Sequence, residues 1–114
     1  MSVFNEETAQ VSPSLYSKLD EIRRLIPEPA LYEQMAEECS ELSKALLKKA
    51  RKLRNENVTP MSFSEINENL IEEYTDVSLC SMVLSLSADP TILAKKLDRW
   101  IFRNGEVGKT INTL

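Results

Sequence analysis

Three observations predict an all-α fold, a four-helix bundle. No glycine occurs before Gly105, so the tight hairpins of a β fold lack their usual residue. Apolar residues recur at three- and four-residue spacing through long segments. Serine or aspartate followed by proline, at Ser12-Pro13 and at Asp89-Pro90, marks helix starts. Helices joined by short connections bury their stripes against one another as a bundle.

In chain order, residues 1–11 read as a polar N-terminal arm, and Ser12-Pro13 opens a helix carrying Leu15, Leu19, Ile22 and Ile26. Pro27-Glu28-Pro29 ends it. A second helix spans about Ala30 to Arg54, with Leu31, Met35, Leu42, Leu46 and Leu53 as its stripe. Its C-terminal half is rich in lysine and arginine, which suits the negative end of the helix dipole. After a polar connection, Ser62 or Ser64 caps a third helix with an acidic start and the stripe Ile66, Leu70, Val77 and Leu84. From Val77 onward that helix is apolar almost all round, which predicts burial. Asp89-Pro90 opens a fourth helix ending near Arg103, followed by a C-terminal tail of residues 104–114.

At 114 residues the chain predicts a single domain with one core. A net charge of −4 argues against nucleic acid as the partner, since duplex binding needs a basic face. The longest largely apolar run, Val77 to Leu86, is too short to span a bilayer, so no membrane partner is expected. Cys39 and Cys80 lack metal-ligand spacing and read as reduced, core-facing thiols of a cytoplasmic protein.

Two stretches carry the chemistry. Glu37-Glu38-Cys39-Ser40-Glu41 and Glu72-Glu73-Tyr74-Thr75-Asp76 both read E-E-x-x-[E/D] within helical segments. Residues i and i+3 share a helix face, so Glu38 pairs with Glu41 and Glu73 with Asp76. Measured from Leu31 at about 100° per residue, Glu38 falls near −20° and Glu41 near −80°, at the border of the apolar stripe. Measured from Ile66, Glu73 and Asp76 land at about the same two angles, while Glu37 and Glu72 fall near −120° on their own helices and face solvent. Packed antiparallel, two such helices bring the four carboxylates to a common centre.

None of the four has a lysine or arginine at i±4, though Lys44 lies three residues after Glu41. Glu37 and Glu72 instead stand at i−4 from Glu41 and Asp76, like-charge placements that cost a helix about 0.2–0.5 kcal/mol each. A divalent cation offsets such crowding. All-oxygen ligands in a chain without histidine point to Mg²⁺, or Mn²⁺, rather than zinc. The competing reading is an acidic face that contacts lysines elsewhere in the bundle.

At these residues the chain resembles the MazG-like, all-α nucleoside triphosphate pyrophosphohydrolase superfamily, which also includes the dimeric dUTPases and the phosphoribosyl-ATP pyrophosphohydrolases. The family motif is E-E-x-x-E on one helix and E-x-x-D on the next, here Glu37-Glu38-x-x-Glu41 and Glu73-x-x-Asp76. The resemblance covers roughly Leu31 to Arg103. It implies metal binding by Glu38, Glu41, Glu73 and Asp76, and hydrolysis of a (deoxy)nucleoside triphosphate to the monophosphate and pyrophosphate. Clearing of noncanonical nucleotides is the role this suggests.

In that setting Glu41, the less buried of its pair, is the candidate catalytic base. Family members carry phosphate-gripping basic residues on the following helix, and Lys96, Arg99 and Arg103 share one face there; their other reading is salt bridging to the acidic surface. Lys48 and Lys52 are weaker candidates. Two features depart from the family pattern: the long segment from Leu42 to Glu72, and Trp100 where many relatives have a small polar residue. Trp100 reads as core, with stacking on a base as the alternative. Apolar residues Leu79, Met82 and Leu86, opposite the acidic stripe, predict a homodimer or homotetramer. The alternatives are a dUTP-, dCTP- or phosphoribosyl-ATP-specific relative, or a non-catalytic helical module whose acidic face binds a basic partner.

Overall fold

A computed structural model describes the backbone of residues 2–56 and 60–113 and the side chains of residues 14–56 and 60–105. Among the described residues the chain forms helices α1 (Ser2–Leu25), α2 (Glu28–Arg54), α3 (Phe63–Val83) and α4 (Pro90–Thr113), and no strand. The all-α expectation holds.

The helix ends are set by local chemistry. Ser62 accepts from the Glu65 backbone N–H at 3.1 Å while the Glu65 carboxylate accepts from the Ser62 N–H at 2.9 Å, a capping box that starts α3. Asp89 Oδ1 accepts from the N–H groups of Thr91 and Ile92, both at 2.9 Å, and starts α4 as its aspartate-proline pair predicts. With no glycine at hand, α2 closes on Asn55 (φ 56°) and α3 on Ser85 (φ 57°), both left-handed. The Leu86 N–H donates to the Ser81 carbonyl at 2.8 Å and the Ser85 N–H to the Met82 carbonyl at 3.1 Å, the paired bonds of a Schellman closure.

Three boundaries differ from the sequence reading. The backbone of α1 is helical from Ser2, so Ser12-Pro13 falls inside it. A proline there removes one helix hydrogen bond, and nothing in Ser2–Val11 is a glycine or proline that would stop the helix. α2 begins at Glu28, with Pro27 at the cap position and Pro29 tolerated in the first turn. α4 continues to Thr113 through both glycines, since a glycine lowers helix propensity without forbidding the conformation.

Packing centres on α2 and α3, which run antiparallel: Leu31 meets Val83 at one end, and Lys49 and Lys52 meet Phe63 at the other. Ala45 and Ile66 are the most buried side chains, the small one allowing close approach. α1 adds Leu19 against Leu31 and Val83, ringed by Leu15, Ile22, Ile26 and Leu84. Arg23 fastens this contact. Its Nε donates to the Val83 carbonyl at 2.7 Å and its Nη2 to the Met82 carbonyl at 3.0 Å, placing a cation on the negative end of α3.

Among the described residues the four helices do not close into a bundle. Among those residues α4 shares no extended packing with the other helices, and every described side chain on it is exposed. Trp100, read as core, is 64% exposed. A radius of gyration of 19.4 Å reflects this, against about 13 Å for a compact chain of this length. Helix formation needs only caps and i→i−4 bonds. Burial needs a facing apolar surface, and after the Leu84–Asp89 connection none of the chain's own faces α4.

Candidate metal centre

The antiparallel pairing of α2 and α3 brings their acidic flanks together at mid-length. One carboxylate oxygen each from Glu38, Glu73 and Asp76 lies within 4.8 Å of the other two. All three residues are half-buried, at the border of the apolar stripes as their helical angles predict. Glu37 and Glu72 are exposed, also as predicted.

Glu41 stands differently. It is exposed, and its Oε1 accepts from Lys44 Nζ at 3.3 Å. It is not one of the converging three, although its charge reaches Glu73. The arrangement therefore unites three of the four predicted ligands and leaves Glu41 at the rim, beside a lysine.

Electrostatics mark the cluster as crowded. The Glu73 carboxyl is held above its ordinary value, first by desolvation and then by the charges of Asp76, Glu41, Glu38 and Glu72. Among the described residues no lysine or arginine forms an ion pair with Glu38, Glu73 or Asp76. The competing expectation, lysines from elsewhere in the bundle, finds no such lysine among the described residues.

The donor set suits a hard divalent ion: three carboxylates, no nitrogen or sulfur in the set, and partial exposure that leaves room for water and phosphate oxygens. Two oxygens bound to one Mg²⁺ are at most about 4.2 Å apart, so the observed spacing is within a small side-chain adjustment of that limit.

The basic residues of α4 are not at this centre. Lys96, Arg99 and Arg103 are exposed and make no ion pair among the described residues, because α4 itself is unpacked. Lys48 is half-buried on α2, and Lys52 sits over the Phe63 ring at 5.4 Å, beyond the acidic cluster toward the α2–α3 connection.

No family model, curated protein or solved structure matches the chain. The centre stands on its own geometry.

Two neighbours of the cluster escaped the sequence reading. Cys80 lies one turn after Asp76, is half-buried rather than core, and has its thiol pushed up by burial and then by the charges of Glu38, Asp76 and Cys39. Cys39, also read as core-facing, is exposed, because it lies on the outer flank of the α2 stripe. Cys80 also helps line an apolar pocket of about 150 Å³ with Ile22, Ile26, Leu31, Leu79, Val83 and Gln34. Gln34 stands one turn before Glu38, and that spacing was the signal available in the sequence. The contribution of α1 to the pocket was not readable from spacing, since it depends on where α1 docks.

Proposed function

We propose that this chain is a metal-dependent nucleoside triphosphate pyrophosphohydrolase of the MazG-like type. It acts as a homodimer or homotetramer and hydrolyses a (d)NTP to the (d)NMP and pyrophosphate. The observation that carries the reading is the convergence of Glu38 with Glu73 and Asp76 across two helices, from the same two motifs that carry the family resemblance.

Glu38, Glu73 and Asp76 would hold Mg²⁺ or Mn²⁺, which would supply positive charge beside the α-phosphate. Glu41, at the rim and free of the three-carboxylate cluster, orients a water and takes its proton as the new oxygen–phosphorus bond forms and the Pα–O–Pβ bridge breaks, releasing pyrophosphate. Lys44 beside it pairs with the Glu41 carboxylate at 3.3 Å. The apolar pocket lined by Cys80 and Gln34 supports a ligand with a flat, weakly polar part next to its phosphates.

The test is pyrophosphate release from a panel of canonical and modified (d)NTPs, dUTP, dCTP and phosphoribosyl-ATP included, with Mg²⁺ and then Mn²⁺. Glu38→Gln and Asp76→Asn run beside the wild type. Metal-dependent release that both substitutions abolish supports the reading, and the panel ranks the bases. A folded protein that neither binds metal nor releases pyrophosphate leaves the acidic-faced interaction module in its place.

A further inference from the structure

We propose that α4 of one copy packs along the outer face of α3 of a second copy, each copy giving one helix and receiving one. The inference rests on the homo-oligomer within the proposed function and is independent of its chemistry.

The first observation is area. The chain exposes 9182 Å², whereas a compact monomer of 13.0 kDa exposes about 6300 Å². The excess, about 2800 Å² per chain or about 5600 Å² for two copies, matches the largest obligate interfaces, which remove several thousand Å² in total. Only Leu19, Leu31, Ala45, Ile66 and Val83 are buried apolar residues among those described, too few to support a helical domain by themselves.

The second observation is that two unpartnered stripes match. On α3, Ile71, Thr75 and Met82 recur at i, i+4 and i+11 on the face opposite Ile66, and the two apolar ones are exposed, while Leu79 between them is half-exposed at the rim of the pocket that α1 and α2 line. On α4, Leu93, Leu97 and Trp100 recur at i, i+4 and i+7, also exposed, and with Lys96 they line an apolar notch able to receive a side chain.

The third observation is charge. α3 carries Glu65, Glu68, Glu72, Glu73 and Asp76 and no basic residue. The described part of α4 carries Lys95, Lys96, Arg99 and Arg103 against one acid, Asp98. At about 100° per residue, Lys96, Arg99 and Arg103 border the α4 stripe, as Glu72 borders the α3 stripe, while Glu68 stands in line with the α3 stripe just before its first member. Apolar centre meets apolar centre and opposite charges meet at the rim, the usual anatomy of a specific interface. The reciprocal exchange closes with twofold symmetry.

The full-length chain is followed by sedimentation velocity across the micromolar range, without metal or nucleotide. One variant carries Glu68→Lys and Glu72→Lys; the other carries Lys96→Glu and Arg99→Glu. All four positions are exposed, so helicity by circular dichroism stays at the wild-type level.

Wild type is expected to sediment as a dimer or a multiple of it. Each variant alone is expected to associate about tenfold more weakly or worse, with like charges now facing each other in both contacts. An equimolar mixture is expected to return to the wild-type sedimentation coefficient, because both contacts in the mixed dimer regain opposite charges. A monomeric wild type overturns the proposal, and so do variants that associate as well as wild type. Variants that weaken but are not rescued by mixing place α4 on its own α3, which also overturns it. None of these outcomes depends on pyrophosphate release, so failure of the catalytic reading is seen separately.

Discussion

The α2–α3 hairpin and α4 are built from the same kind of sequence and end in opposite conditions. Both are capped, amphipathic helices with a charged flank beside an apolar stripe. In the hairpin each stripe has found the other, burying Ala45 and Ile66 and pressing three carboxylates together along one edge. In α4 the stripe faces solvent, and its basic flank has no partner among the described residues. Helix formation is a local property, decided by caps and backbone bonds. A functional centre is a packing property, and it exists only where two such stripes meet.

The largest contrast should appear in the core. Ile66→Ala, at 1% exposure, is expected to cost about 2–5 kcal/mol in urea unfolding. Leu97→Ala, half-exposed on α4, should cost less than about 0.5 kcal/mol in dilute solution where the chain is monomeric. Equal losses at the two positions would mean that α4 is packed within its own chain.

Next in size is the chemistry of the hairpin edge. Glu38→Gln or Asp76→Asn should lower metal-dependent pyrophosphate release by about 100-fold or more, near 2.7 kcal/mol of transition-state stabilisation. Both should also abolish the rise in melting temperature expected of the wild type when Mg²⁺ is added.

A pH titration separates two glutamates of α3 by sign. Glu73 has a folded-state pKa raised by desolvation and by neighbouring carboxylates, so the folded form binds its proton more tightly than the unfolded form. The metal-free protein should therefore gain stability as pH falls through that raised value toward the ordinary 4.5, and lose it again as pH rises. Mg²⁺ should flatten this window. Glu65, lowered by its hydrogen bonds to the backbone and side chain of Ser62, behaves in the opposite way. Its contribution is complete above 4.5 and fades as pH falls through the lower folded-state value. Melting curves between pH 7 and 3, with and without Mg²⁺, resolve the two.

The smallest effects sit at the helix ends. Ser85→Gly should stabilise the chain by about 0.5–1 kcal/mol, because a serine at φ 57° carries strain that glycine relieves. Asn55→Gly should stay within about 0.5 kcal/mol of neutral, since asparagine tolerates that conformation. Thermal unfolding of the pair tests whether the two closures differ as their residue types require.

Much of this was legible in the sequence. Periodicity located four helices, and Ser62 and Asp89 were readable as caps because capping uses groups within three residues of one another. The half-burial of Glu38, Glu73 and Asp76 followed from their angle to the stripe, which is local geometry. The sequence by itself determined that the chain forms four helices, though not where α1 begins or α4 ends, and that Glu38, Glu73 and Asp76 lie at the edge of a buried face. Only the tertiary structure decided that three of the four carboxylates converge while Glu41 turns to Lys44, and that Arg23 binds the end of α3. The detachment of α4 from the hairpin was settled there too. Those outcomes depend on how whole elements meet across long stretches of chain, and a local pattern constrains the face a helix offers without specifying which surface will cover it.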